Sequence, residues 1–259
     1  MPALFGPVLT NAPTASSFVE AYYANRFSAA KVVTAWGIDG GWNPTNRWLL
    51  TTNVRRLIVR SVAGDPSYLK ARWYPHPDDL VEEFGPWVEV RDNLWLEVGN
   101  EPDVRWDQLK EKRSEWDIWE YRYWLDEAER RLRREFPHAK LIGPSPRVSY
   151  YLDWARWLLI MADVLKRFDA VSLHIYGWHS IVDDKKGEFL AAKPLYSKLF
   201  PGKSVAITEL GIHDPTQTPH EKLEAYRDFA RKAPANWRWA LFYHYNARLD
   251  VDPEYSVLP

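Results

Sequence analysis

Two periods alternate along the chain. Runs of β-branched and aliphatic residues at 3–9, 31–37, 56–62, 94–100, 140–144, 170–176, 204–210 and 238–245 read as strands. Between them, longer stretches at 14–29, 43–53, 77–90, 115–136, 151–168, 186–199 and 219–232 carry the spacing of amphipathic helices. Within 115–136, Ile118, Tyr121, Leu125, Ala128 and Leu132 advance by three or four residues and form one apolar stripe. The remaining face holds Glu127, Glu129, Arg130, Arg131, Arg133 and Arg134. Its interleaved acids make it a solvated face rather than a nucleic-acid patch.

Eight strands separated by seven helices predict an α/β fold, a compact (β/α)8 TIM barrel formed as a single domain over residues 1–259. Parity within the strands supports it. In 170–176, Val171, Leu173 and Ile175 share the face that would pack on helices, while Ser172, His174 and Tyr176 share the inward face. Leu94, Leu96 and Val98 likewise oppose Trp95, Glu97 and Gly99. Only 13 residues follow Asn246, with Pro253 and Pro259 among them, so the eighth helix is expected to be absent or vestigial. The apolar gap this leaves between the first and seventh helices is expected to be covered by residues 247–259 or by a second subunit of a homo-oligomer.

Composition narrows the partners. Lys plus Arg number 34 and Asp plus Glu 35, a formal net charge of −1, which gives no general attraction to nucleic acid or to an anionic membrane. No apolar run approaches the roughly 18 residues that span a bilayer. The absence of cysteine removes thiolate nucleophiles, cysteine-ligated zinc and iron–sulfur clusters. Met1-Pro2-Ala3-Leu4-Phe5 shows no basic segment ahead of a long apolar one. The expectation is therefore a cytoplasmic location, or release by a non-classical route, unless a signal was removed. Aromatic residues are in excess, with 15 Trp, 14 Tyr and 10 Phe, and suggest flat platforms for ring-shaped ligands.

The candidate chemistry gathers at strand ends. Glu101, in Asn100-Glu101-Pro102, follows the fourth strand, and Glu209, in Thr208-Glu209-Leu210-Gly211, lies at the end of the seventh. Two glutamates facing each other across a barrel mouth can divide acid and nucleophile duties at a glycosidic bond. Glu97 should point into the barrel, where an unpaired carboxylate is costly, and Arg60, of the same inward parity as Ile58 and Val62, is its expected partner. His174 and His179 lie near Asp183 and Asp184, but the spacing fits no zinc signature, and neither a metal nor a cofactor is expected. The Gly-rich segment 37–41 lacks a Walker lysine and dinucleotide spacing. Trp36, Trp42, Trp73, Trp106 and Trp178 all fall at or just after strand ends, and Trp36 and Trp178 are candidate sugar platforms.

These residues together resemble the clan A retaining glycoside hydrolases over most of the chain. Asn100-Glu101-Pro102 resembles their acid/base motif on strand four, Glu209 their nucleophile on strand seven, His174-Ile175-Tyr176 their His-x-Tyr on strand six, and Arg60 an arginine inside the early strands. The resemblance implies that Glu101 protonates the leaving oxygen and then activates water, and that Glu209 attacks the anomeric carbon. It further implies that Asn100 bonds the sugar 2-hydroxyl, that Tyr176 orients Glu209, and that the substrate is an oligo- or polysaccharide. One departure concerns strand eight. The family presents a Trp there as the floor of the central sugar site, whereas this chain has Ala240-Leu241-Phe242-Tyr243-His244-Tyr245-Asn246, leaving Tyr243 or His244 for that place. The alternative is a carbohydrate-binding barrel without turnover.

Overall fold

The computed structural model describes residues 4–9, 27–33, 56–61, 76–91, 93–103, 116–148, 153–177, 188–212, 214 and 216–242. Its eight strands are β1 (Leu4–Leu9), β2 (Ala30–Val33), β3 (Leu57–Arg60), β4 (Trp95–Glu97), β5 (Lys140–Ile142), β6 (Ala170–Gly177), β7 (Ser204–Ile212) and β8 (Trp237–Phe242). Every neighbouring pair is parallel, and β8 returns to β1 through Leu4↔Trp239 to Pro7↔Phe242, closing the barrel in sequence order. Five helices are described: α1 (Pro77–Val90), α2 (Trp116–Glu135), α3 (Trp154–Leu165), α4 (Glu188–Leu199) and α5 (Pro219–Lys232).

Local chemistry sets several boundaries. His76 with Asp79, and Thr218 with Glu221, form capping boxes at α1 and α5, each followed by a proline at the first helical position. The basic run of α2 is spent on ion pairs. Arg130 meets Asp126 at 2.7 Å, Arg131 meets Asp78 at 2.7 Å, and Arg133 meets both Glu129 and Asp169.

The two faces of the sheet separate as strand parity predicts. Leu96, Val98, Val171, Leu173, Ile175, Ile207 and Leu210 join the helices in one outer core. Ala29, Ile58, Ile142, Ala170, Ala206, Trp239 and Leu241 fill the barrel's interior, where Trp95 packs edge-on against Trp239 at 4.5 Å. That aromatic plug closes the lower interior and leaves polar residues to the end where the strands finish. In the outer core, Trp157 of α3 is fully buried and lies 6.3 Å from Tyr121 of α2. Trp157→Ala is expected to cost about 3–5 kcal/mol, read as a lowered melting temperature.

Some expectations shift. The helix expected over 14–29 does not extend through residues 27–29, which lead into β2 without helical structure, and the helix at 43–53 lies outside the described residues. β4 is shorter than 94–100 because the chain turns away at Gly99 (φ 92°). The described residues end with β8 at Phe242, so the eighth helix expected to be absent or vestigial falls outside them. Residues 243–259, and any cover they give the gap, lie outside the described residues.

Candidate active site

Two backbone irregularities aim the two glutamates. After β4, Gly99 at φ 92° needs the conformational freedom of glycine, and Glu101 itself sits at φ 39°, a region unfavourable to a side chain and common at functional sites. The turn is pinned by Gly99 N–H donating to Ser61 Oγ at 2.9 Å and Glu101 N–H donating to the Ser145 carbonyl at 3.0 Å. On β7 the register against β6 runs Leu173↔Ile207 and then His174↔Glu209, skipping Thr208. This bulge puts two consecutive side chains inside the barrel. Thr208 Oγ1 donates to Glu97 Oε1 at 2.6 Å, and Glu209 meets Arg60 and Tyr176.

Glu209 is held at both oxygens. Oε1 accepts from Arg60 Nη1 at 2.6 Å and lies 3.4 Å from Lys31 Nζ, while Oε2 accepts from the Tyr176 hydroxyl at 2.9 Å. Burial pushes this carboxyl's pKa up. The charges of His174, Lys31 and Arg60, with the Tyr176 hydrogen bond, outweigh that and hold it well below the usual carboxylate range. Glu101 is the more open of the two, its side chain 18% exposed against 4% for Glu209. His174 Nδ1 joins them, 2.8 Å from Glu101 Oε1 and 3.4 Å from Glu209 Oε2. One ligand atom from each of Glu101, His174 and Glu209 lies within 4.8 Å of the other two. A cation entering that triangle would meet Arg60 and Lys31 already seated on Glu209, which disfavours a metal.

Beneath this pair is a second, fully buried carboxylate. Glu97 Oε2 lies 2.8 Å from Lys31 Nζ, and its Oε1 accepts from Ser145 Oγ at 2.5 Å and Thr208 Oγ1 at 2.6 Å. The cation on Glu97 is therefore Lys31, correcting the expected Arg60. The guanidinium of Arg60 turns instead to Glu209 and to Asn100 Oδ1, because the β7 bulge brings Glu209 within its reach. Burial raises the pKa of Glu97, but Lys31, His174 and Arg60 bring it below its ordinary value. Two buried cations thus balance two buried carboxylates.

Of the residues singled out from sequence, Arg60, Asn100, Glu101, His174, Tyr176 and Glu209 converge here. Trp36, Trp178, Tyr243, His244, His179, Asp183 and Asp184 lie outside the described residues. Lys31, Ser145 and Thr208 were not anticipated. For Lys31 the available signal is a lone charge inside the apolar run Ala29-Ala30-Lys31-Val32-Val33. Arg147 also belongs to the rim, its guanidinium 5.0 Å from the Tyr176 ring centroid and its backbone N–H on Asp103.

No protein-family model and no curated protein sequence matches the chain. Solved structures do. An endo-β-1,3-glucanase of glycoside hydrolase family 128 (subgroup II) from Sorangium cellulosum superposes with a TM-score of 0.64 at 14% identity, over 99% of this chain and 93% of that one. The fold is the parallel barrel that these glycoside hydrolase structures share. A family 128 (subgroup III) curdlan-specific exo-β-1,3-glucanase from Blastomyces gilchristii, solved with glucose, gives 0.57 at 16% identity over 92% and 88% of the two chains. A family 30 endoxylanase from Clostridium papyrosolvens C71 gives 0.59 at 14% identity, over 94% of this chain and 65% of that one. In this barrel Glu101 follows β4 and Glu209 lies within β7.

Proposed function

We propose that the protein is a retaining O-glycoside hydrolase acting on an oligo- or polysaccharide, with Glu209 as nucleophile and Glu101 as acid/base. The observation that carries the reading is the approach of the two carboxylates, one oxygen of each within 4.8 Å, in opposite environments. Retaining chemistry uses carboxyls about 5–5.5 Å apart, whereas inversion needs about 6.5–9.5 Å to admit a water. Glu209, buried among cations, is ionised and aligned to attack. Glu101 is nearer the opening and pairs with His174 Nδ1 at 2.8 Å, which places it for the acid/base role.

The steps follow from these positions. The Glu101 proton passes to the departing glycosidic oxygen as a Glu209 oxygen bonds the anomeric carbon. Glu101, now a carboxylate, takes a proton from water. The resulting hydroxide attacks the anomeric carbon, releasing Glu209 and returning the sugar with its starting configuration. Tyr176 orients Glu209 throughout, and Asn100, braced by Arg60, is placed to bond the sugar 2-hydroxyl.

Two neighbours that match over most of both chains are β-1,3-glucanases, which makes β-1,3-glucan the first polymer to try. Wild-type protein is expected to release reducing sugar from it or from another polysaccharide, with products formed initially as the substrate's anomer by NMR. A chelator is expected to leave the rate unchanged. Ligand binding without release of sugar would instead identify a binding barrel.

A further inference from the structure

The polar cluster under Glu209 is larger than two-carboxylate chemistry requires. Lys31 is wholly buried, and its ammonium meets three acceptors: Glu97 Oε2 at 2.8 Å, the Thr208 carbonyl at 3.2 Å and Glu209 Oε1 at 3.4 Å. Two of those acceptors belong to the bulge that aims the nucleophile. Glu97 has its other oxygen filled by the Ser145 and Thr208 hydroxyls, and Lys31 links its Oε2 to Glu209 Oε1. A buried ion pair gains little over apolar packing, so stability alone does not account for this one. What the lysine adds is a fixed positive charge against the nucleophile.

We infer that Lys31, held in place by Glu97, is a positioning residue that clamps Glu209 Oε1 to the barrel floor and keeps the nucleophile ionised. The inference rests on the reading of Glu209 as nucleophile. The other titratable groups facing the cluster, among the described residues, are Arg60 from β3, Glu97 from β4, Glu101 just beyond it, and His174 and Tyr176 from β6. Arg60 alone would leave Oε1 on one donor and the bulge carbonyl without its ammonium. Burial draws the Lys31 pKa below its ordinary value, and Glu97 and Glu209 oppose that. In this arrangement Glu97 serves to keep the lysine charged.

The test is the double variant Lys31→Met/Glu97→Gln, because Lys31→Met alone would strand a buried carboxylate. Lys31→Gln, which can still donate to Glu97, is the second variant should the double one not fold. The Glu209 carboxyl is followed by 13C NMR during acid titration, its resonance assigned by its loss in Glu209→Gln. In the wild type it stays ionised through the usual carboxylate range. In either variant its midpoint is expected to rise by about one to three pH units. The acid limb of kcat/KM on an activated aryl glycoside should rise with it, while the basic limb stays in place. A Glu209 titration unmoved in a folded variant, with only a uniform drop in kcat or Tm, would overturn the inference. The NMR titration needs no turnover. A wild-type protein that hydrolyses nothing would therefore refute the hydrolase reading without deciding this one.

Discussion

Glu209→Gln is expected to lower kcat by about four to six orders of magnitude while the barrel still folds. The amide keeps the shape of the side chain. Its oxygen can accept from Arg60 and Lys31, and its nitrogen faces the Tyr176 hydroxyl, which can turn to accept. The negative charge that forms the covalent bond is gone. A second signature appears in acid. Because the folded pKa of Glu209 lies below its ordinary 4.5, the ionised group stabilises the wild type fully above that pH, and this is lost as pH falls through the depressed value. Acid unfolding of Glu209→Gln, followed by circular dichroism, should therefore be the less steep of the two.

Glu101→Ala is expected to lose about 10²–10⁴-fold on substrates with poor leaving groups and far less on activated aryl glycosides. The side chain is partly exposed at the mouth and its one described side-chain bond is to His174, so truncation leaves the buried network of Lys31, Glu97, Arg60 and Glu209 untouched. Alanine keeps the same unfavourable φ, so no strain is relieved. The space opened beside the anomeric carbon should admit azide, giving a glycosyl azide of the substrate's own configuration and restoring rate. Equal losses on both classes of leaving group, with no rescue, would remove Glu101 from the acid/base role.

The barrel was legible wherever parity was undisturbed. Val171, Leu173 and Ile175 face the helices and Ser172, His174 and Tyr176 the interior, as alternation requires. Glu209 is the residue alternation misplaces. Counting from Ala206 inward and Ile207 outward, Thr208 falls inside and Glu209 outside, and only the bulge brings both in. Its place came from its motif, since a one-residue register shift leaves no periodic trace. The same bulge explains the mistaken partner of Glu97. Parity brought Arg60 and Glu97 to one level of adjacent strands, where they are indeed register partners, yet Arg60 is drawn to Glu209 and Lys31 takes Glu97. Lys31 opens the strand expected over 31–37, and the sequence assigns it no partner. The strand begins at Ala30, and a lysine at such an edge looks solvated until closure of the barrel shows what lies across from it.

The covalent intermediate is the most direct measurement. A 2-deoxy-2-fluoro glycoside of the hydrolysed sugar, carrying an activated leaving group, slows both steps and slows the second more. Treated protein should gain the mass of one fluorosugar, and peptide mapping should place it on Glu209. Activity should return as the adduct turns over to an acceptor sugar. An active protein that carries no label, or carries it elsewhere, while releasing product of inverted configuration, would contradict the assignment of Glu209 and the retaining reaction with it.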